Sequence, residues 1–181
     1  MSRRRVRATH WMHALAAVAV VGAATPAAAQ NCTVNGAAGN CTVTRNISMP
    51  VQRTIRMTLS STATALTPPL AAAYDAGFQD TNGPTITVQA NSAWRVQISA
   101  AAANFTGTGA LARANKPRAD LRWGIAPAVP TTPLSATATT IGTGVATNGT
   151  VLNVVYRTIW SWALDTPGTY TLAITYTLIT P

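Results

Sequence analysis

The C-terminal stretch from Thr150 to Pro181 constrains the fold of this chain more than any other part of the sequence. In its second half, large apolar residues alternate with threonine or small residues. The apolar set is Tyr170, Leu172, Ile174, Tyr176 and Leu178. A period of two places neighbouring side chains on opposite faces of a β-strand. This segment therefore predicts a strand with one apolar face and one threonine-rich face.

A second alternating run lies just before it and predicts another strand with one apolar face. Its apolar row is Leu152, Val154, Tyr156, Trp160, Trp162 and Leu164. Asp165-Thr166-Pro167-Gly168 separates the two runs and has the residue types of a tight turn. The stretch thus predicts a long hairpin, which requires a second sheet to cover its apolar face. The spacing Asp-x-x-Gly-x-Tyr also predicts that Tyr170 is a core residue whose hydroxyl bonds nearby backbone, as at the tyrosine corner of immunoglobulin-like sandwiches.

The N-terminus has the three regions of a secretory signal peptide. Four arginines lie within the first seven residues, an apolar run extends from Trp11 to Ala24, and small residues follow to Ala29. We expect residues 1–29 to be cleaved and residues 30–181 to form a single domain, with no transmembrane anchor in the mature chain. A membrane anchor is the alternative, and the sequence leaves open whether export uses the general or the twin-arginine route.

The composition of the mature chain argues against catalysis. Removing 29 of 181 residues leaves 152, enough for one domain. Both histidines leave with the signal peptide, there is no glutamate, and four aspartates remain. The usual acid–base groups and soft metal ligands are therefore scarce, and we expect no enzyme activity, no cofactor and no metal. Nine basic residues against four aspartates give a formal net charge of +5, too sparse for a nucleic-acid binder.

Two cysteines lie in a short repeat at the mature N-terminus, Asn31-Cys32-Thr33-Val34 and Asn40-Cys41-Thr42-Val43. Residues 35–39 between them form a flexible, glycine-containing turn. In an exported protein two such cysteines predict a Cys32–Cys41 disulfide that staples a hairpin. A pair of metal-binding thiolates is the alternative.

The middle of the chain predicts several more strands and no long helix. Alternation predicts a strand over Val51–Ser61, a hairpin over Thr85–Ala100 and an inward row of Leu121, Trp123 and Ile125. Residues 66–83 read as a long loop with one helical turn over 70–76, and residues 127–149 as a short edge strand with loops. The fold class is therefore all-β: a single antiparallel immunoglobulin-like β-sandwich.

The tryptophans and the basic residues are the candidates for a binding surface. Trp94, Trp123, Trp160 and Trp162 all fall on predicted inward rows, so we expect them in the core, with a sugar-stacking platform as the alternative. Arg113, Lys116, Arg118 and Arg122 lie within ten residues of one another. They are candidate contacts for an anionic surface polymer or lipid headgroup. The alternative is a solvated loop.

The terminal strand carries Tyr170, Ile174, Thr175, Tyr176 and Leu178, followed by Pro181. This pattern resembles the closing motif of WxL-type bacterial cell-surface domains, with Ile in place of Leu and Tyr in place of Trp. The family's Trp-x-Leu triplet is matched loosely by residues 94–96 and literally by residues 162–164. The resemblance covers Thr85 to Pro181. It implies an exported β-rich domain that associates non-covalently with the bacterial cell wall.

A second resemblance rests on Gly168 and the alternating strand that follows it, which are similar to the end of chaperone–usher pilus subunits. Thr180 stands where those subunits have an aromatic residue. The sequence therefore predicts a secreted, extracellular or cell-surface module, with the periplasm as an alternative location. It would bind cell wall or another anionic surface polymer. The alternative function is a structural subunit of a surface fibre or coat that self-associates through an edge strand.

Overall fold

The structure, a computed structural model, describes residues 32–36 and 38–181. The predicted signal peptide lies outside the described residues. The chain divides into two compact units, Met1–Met49 and Pro50–Pro181. In the first unit Cys32 and Cys41 form a disulfide with their Cα atoms 5.8 Å apart, which confirms the predicted bond. The described residues around it form no strands, so the stapled arms are not a β-hairpin.

The second unit is built almost entirely from β-strands. Its elements are β1 (Ile55–Leu59), α1 (Ala71–Ala76), β2 (Phe78–Ala90), β3 (Trp94–Ser99), β4 (Thr106–Thr108), a 3-10 helix (Arg118–Asp120), β5 (Leu121–Ile125), β6 (Thr132–Pro133), β7 (Thr139–Gly144), β8 (Thr147–Ile159), β9 (Thr169–Thr171) and β10 (Thr175–Ile179). The helix α1 falls where one helical turn was predicted. The first strand falls within the predicted Val51–Ser61 segment.

The strands form a five-stranded sheet in the order β1-β2-β8-β5-β6, a three-stranded sheet in the order β10-β3-β7, and a small β4-β9 sheet. Neighbouring strands are antiparallel. Alternate side chains of β2, β3, β5 and β8 meet in one buried cluster that includes Ile86, Trp94, Trp123 and Val154. The prediction of an all-β antiparallel sandwich is confirmed. The immunoglobulin-like strand arrangement stays a prediction.

The predicted hairpin over Thr85–Ala100 is wrong. Strand β2 pairs with β1 and β8, whereas β3 pairs with β7 and β10. Residues 91–93 therefore carry the chain from one sheet to the other. Both arms have an apolar row, and placing them in different sheets lets each row cover the other.

The predicted C-terminal hairpin is also wrong, because β8 and the terminal strands lie in different sheets. Strand β8 belongs to the five-stranded sheet, and its pairing with β2 ends at Ile159 opposite Phe78. The terminal segment pairs first with β4, through β9, and then with β3, through β10. Its inner face is nevertheless as predicted, since Tyr170, Leu172, Ile174, Tyr176 and Leu178 all pack against the core.

The long loop predicted to end at Gly83 is shorter in the structure, because β2 already begins at Phe78. The pairing of β2 with β8 shifts between Asn82 and Thr85, around Gly83 and Pro84. Proline has no N–H for a sheet ladder and is tolerated at such an irregularity. Turn-forming residue types thus occur here inside a strand.

A helix can cross a membrane only if it is long enough and its residues are apolar enough. Among the described residues, no helix is both long enough and apolar enough to cross a membrane.

Candidate functional site

Four charged residues, Arg113, Lys116, Asp120 and Asp165, form a partly buried group that we call the ion cluster. Lys116 has an exposed fraction of 0%. Its Nζ donates to Asp165 Oδ1 at 2.9 Å, to the Ile159 carbonyl oxygen at 2.8 Å and to Asp120 Oδ2 at 3.4 Å. These three acceptors match the three N–H donors of an ammonium group, so the lysine is fully engaged within the protein.

Asp165 connects the ion cluster to the turn that follows β8. Its Oδ1 also accepts from Arg113 Nη1 at 3.0 Å, while its Oδ2 accepts from the Ser161 backbone N–H at 2.9 Å. The Asp165 N–H donates back to the Ser161 carbonyl oxygen at 2.9 Å. The buried carboxylate therefore holds both ends of the turn over residues 161–165.

The buried position of Lys116 contradicts its predicted contact with an external surface. Desolvating a charge is costly unless it is paired, and Asp165, far away in sequence, supplies the pair. Arg113 joins the same cluster. Arg118 donates to the carbonyl oxygens of residues 100–102, and Arg122 lies on β5 opposite Arg157. The four basic residues therefore do not all share the same partners. A surface contact by the three arginines stays a prediction.

The turn held by Asp165 presents Trp162 to solvent, with 63% of the residue exposed. The indole stacks on Tyr74 of α1, with ring centroids 4.6 Å apart and an angle of 28° between the ring planes. Its Nε1 donates to Asp75 Oδ1 at 3.0 Å. We call Tyr74, Asp75 and Trp162 the aromatic platform.

The position of α1 fixes the other half of the platform. The helix ends at Gly77, whose φ of 78° lies in the left-handed region that favours glycine. The Gly77 N–H donates to the Tyr74 carbonyl oxygen, and the Gly77 carbonyl oxygen accepts from the Trp160 N–H at 3.0 Å. Tyr74 and Trp162 are thus carried by two backbone segments that are hydrogen-bonded to each other.

A row of aromatic rings connects the platform with the interior. The Trp160 ring lies 5.9 Å from Tyr74 and 6.5 Å from Tyr170, and Lys116 Nζ lies 4.5 Å from its centroid. Partial burial raises the pKa of Tyr74, and the nearby Asp165 carboxylate raises it further. The platform is therefore in contact with a row of packed rings.

The prediction that all four tryptophans are core residues holds for two of them. Trp94 and Trp123 are buried as expected, and Trp160 is partly buried. Trp162 is exposed, so its placement in the core is wrong. The alternation continues through Trp160 and Trp162, but the strand ends at Ile159, and after that residue a period of two no longer assigns faces.

The four aspartates of the described residues are all engaged. Asp75 belongs to the platform, two belong to the ion cluster, and Asp80 makes a two-pronged pair with Arg157 at 2.6 and 2.7 Å. The hydrogen bonds that Arg157 donates to the Asp80 carboxylate raise the pKa of Arg157. Among the described residues, the following arginines take part in no salt bridge: Arg45, Arg53, Arg56, Arg95, Arg118 and Arg122. The positive charge excess therefore belongs to these arginines.

Possible metal ligands are not grouped together in the part of the chain that the structure describes. Within residues 32–36 and 38–181, no group of three or more His, Cys, Asp or Glu side chains is placed to hold a metal ion. Asp75 and Asp80, which the sequence places near each other, bind different partners.

No protein-family model matches this chain, and no curated protein matches it either.

Proposed function

We propose that this chain is an exported, non-catalytic β-sandwich module that binds an anionic carbohydrate polymer of a cell surface. The observation that carries the proposal is the aromatic platform, where the indole of Trp162 is held flat and exposed. The disulfide supports export, since disulfides persist in oxidising compartments. The resemblance of the terminal strand to WxL-type domains points toward the cell wall as the surface.

The platform has the features that suit a sugar ring. One face of the indole packs on Tyr74, which leaves the other face available for the apolar C–H face of a sugar. Asp75 Oδ1 accepts from the indole N–H, and Oδ2 makes no hydrogen bond within the described residues. That oxygen can accept from a sugar hydroxyl beside the stacked ring. Because the rings are fixed before binding, little conformational entropy is lost.

An anionic polymer is favoured over a neutral one by the charge balance. Three of the four aspartates of the described chain form salt bridges, whereas six arginines make none. Such an excess attracts polyanions over roughly a Debye length, about 8 Å at physiological ionic strength. The proposed contact is therefore stacking at Trp162, with electrostatic attraction from the arginines that make no salt bridge.

The test is co-sedimentation of the purified chain with isolated bacterial cell walls and affinity electrophoresis in polygalacturonate and in dextran. We expect binding to cell walls and polygalacturonate that weakens with salt, and less binding to dextran. Trp162→Ala should weaken binding roughly tenfold, because about 1.4 kcal/mol of stacking is lost. The indole is exposed, so the variant should melt close to the parent.

The matched control is Val145→Ala, which truncates another well-exposed apolar residue away from the platform. It should bind like the parent. If Trp162→Ala binds as tightly as Val145→Ala, the platform is not the contact. Equal binding to polygalacturonate and dextran would remove the anionic part of the proposal.

A second candidate function, a structural subunit of a fibre or coat, is favoured by a separate observation. Strand β10 is an edge strand of its sheet, and an unpaired edge can add a strand from another chain.

A further inference from the structure

Two arginines lie directly opposite each other on neighbouring strands of the five-stranded sheet. Arg122 of β5 is the register partner of Arg157 of β8. The residues on either side of each arginine in the sequence are buried. Because side chains alternate along a strand, both arginines lie on the outer face of the sheet. Residues paired in this way have Cβ atoms about 4.5–5.5 Å apart. We call Arg122 and Arg157 the arginine pair.

A single carboxylate pairs with these two positive charges in the part of the chain that the structure describes. Arg157 Nε and Nη2 donate to the two carboxylate oxygens of Asp80 at 2.6 and 2.7 Å. Asp80 lies on β2, which is on the opposite side of β8 from β5. Arg122 forms no salt bridge within the described residues. Like charges directly opposite each other repel, and the arginine pair keeps one positive charge without compensation.

The Arg157 guanidinium is held in place and still has hydrogen-bond donors to offer. Its Cζ lies 3.8 Å from the centroid of the Phe78 ring, and Asp80 holds one edge of the group. A guanidinium carries five N–H donors in a rigid plane. Two of these N–H groups bond to Asp80, and the side chain makes no other hydrogen bond within the described residues. The remaining donors therefore belong to a group whose position is fixed before any ligand binds.

Arg122 contributes a donor that has no acceptor. Its Nε is buried and forms no hydrogen bond within the described residues. Leaving a buried donor without an acceptor is costly, most of all on a charged group. Exclusion of water also strengthens the attraction between a guanidinium and an anion. An oxyanion bound at Arg122 and Arg157 would supply both the missing acceptor and the missing negative charge.

We propose that the arginine pair binds the carboxylate group of an acidic sugar. A carboxylate matches the planar fork of a guanidinium. Its single charge also equals the uncompensated charge of the pair, whereas a dianionic phosphate would be repelled more strongly by Asp80. This inference deepens the proposed function, and it rests on that function only for the sugar as the source of the carboxylate. It does not depend on stacking at the aromatic platform.

The test is a titration of the isotope-labelled chain with sodium galacturonate at constant ionic strength, followed by NMR of the arginine Nε–H groups. We expect the Arg122 Nε–H resonance to shift and to reach saturation. Galactose, which lacks the carboxylate, should not shift this resonance, and neither should chloride. Sodium phosphate should bind more weakly than galacturonate.

Variants at single arginines locate the site, with the shifts of the β5 and β8 backbone amides as the readout. Arg122→Gln should weaken galacturonate binding roughly tenfold, the loss expected for one charge-assisted contact. Arg122→Lys keeps the charge but loses the fork, and it should weaken binding less. The matched control is Arg56→Gln, which removes the same charge from an exposed position on β1 of the same sheet and should bind like the parent. Because Arg122 pairs with no carboxylate, its variants should melt close to the parent.

Trp162→Ala should titrate with galacturonate like the parent. Failure of the aromatic platform and failure of the arginine pair therefore give different results. The proposal is overturned if the Arg122 Nε–H resonance does not shift, if chloride shifts it equally, or if Arg56→Gln weakens binding as much as Arg122→Gln. Tighter binding of phosphate than of galacturonate would overturn the assignment of a carboxylate.

Discussion

At the scale of single residues, Lys116 shows how this sandwich uses its few charges. A buried lysine is tolerated because Asp165, Asp120 and a backbone carbonyl oxygen accept from it, and because the Trp160 ring lies under its ammonium group. The same Asp165 holds the turn that presents Trp162. A structural ion cluster thereby positions the exposed residue on which the proposed binding depends.

Replacing Asp165 should therefore be costly. We expect Asp165→Asn to lower the free energy of unfolding by about 3–5 kcal/mol, because it leaves Lys116 buried with its charge poorly compensated. Urea denaturation followed by tryptophan fluorescence measures this. The control is Asp80→Asn, which breaks a surface pair with Arg157 and should cost about 1 kcal/mol or less. Equal costs for the two variants would show that burial of the cluster contributes nothing.

The hydroxyl of Tyr170 is bonded to nearby backbone, as the sequence predicts. It donates to the Thr166 carbonyl oxygen at 2.6 Å and accepts from the Arg113 N–H at 2.9 Å, and its ring packs against the core. Tyr170→Ala should cost roughly 3–5 kcal/mol of stability. Tyr170→Phe should cost on the order of 1 kcal/mol, because only the hydroxyl's bonds are lost. Denaturant melts of both variants test this, and an alanine variant as stable as the parent would contradict it.

At the scale of elements, one polar contact connects β8 of the five-stranded sheet with β10 of the three-stranded sheet, and we call it the joint. The hydroxyls of Tyr156 and Tyr176 hydrogen-bond to each other across it. Burial raises the pKa of both tyrosines, and Tyr156 raises that of Tyr176 further. Two strands of different sheets are thus joined by a polar contact within an apolar layer.

These pKa shifts predict loss of stability in alkali. Above the ordinary tyrosine pKa of 10.0 the unfolded chain releases protons that the folded chain retains. The free energy of unfolding should therefore fall as the pH rises above 10, by up to about 1.4 kcal/mol per pH unit for each tyrosine. Urea melts at several alkaline pH values measure the slope.

Tyr176→Phe should reduce this slope, since one of the two groups no longer titrates. Tyr74→Phe serves as the comparison, because Tyr74 lies outside the joint, and it should change the slope less. An unchanged slope in Tyr176→Phe would show that the joint does not control alkaline unfolding.

At the scale of the whole molecule, the disulfide and the sandwich belong to different units of the chain. The bond closes a loop within Met1–Met49, whereas every strand of the described residues lies in Pro50–Pro181. A disulfide stabilises a fold when folding orders the loop that it closes. The described residues of the Cys32–Cys41 loop contribute no strand or helix to the sandwich.

We therefore expect Cys32→Ser with Cys41→Ser to change the free energy of unfolding of the sandwich by no more than about 0.5 kcal/mol. Guanidinium melts of the double variant and of the parent, with and without reductant, measure this. A loss of about 2–3 kcal/mol, the range expected for a short loop whose closure assists folding, would contradict it.

The sequence by itself determined the fold class and the facing of most strands. The alternation of apolar and polar residues is a local property of the sequence. It therefore identified the inner rows of β3, β5 and β10, and the core position of Tyr170, without knowledge of strand partners. The disulfide followed in the same way, from two cysteines close in sequence.

Only the tertiary structure decided which strands pair, where β8 ends and which charges are buried. Both predicted hairpins are wrong because an apolar row is equally well covered by a neighbour in the opposite sheet, and a local pattern does not distinguish the two. Lys116 is buried and Trp162 exposed for a related reason. Their environments depend on Asp165 and Tyr74, which are distant in sequence and come together only when the sheets pack.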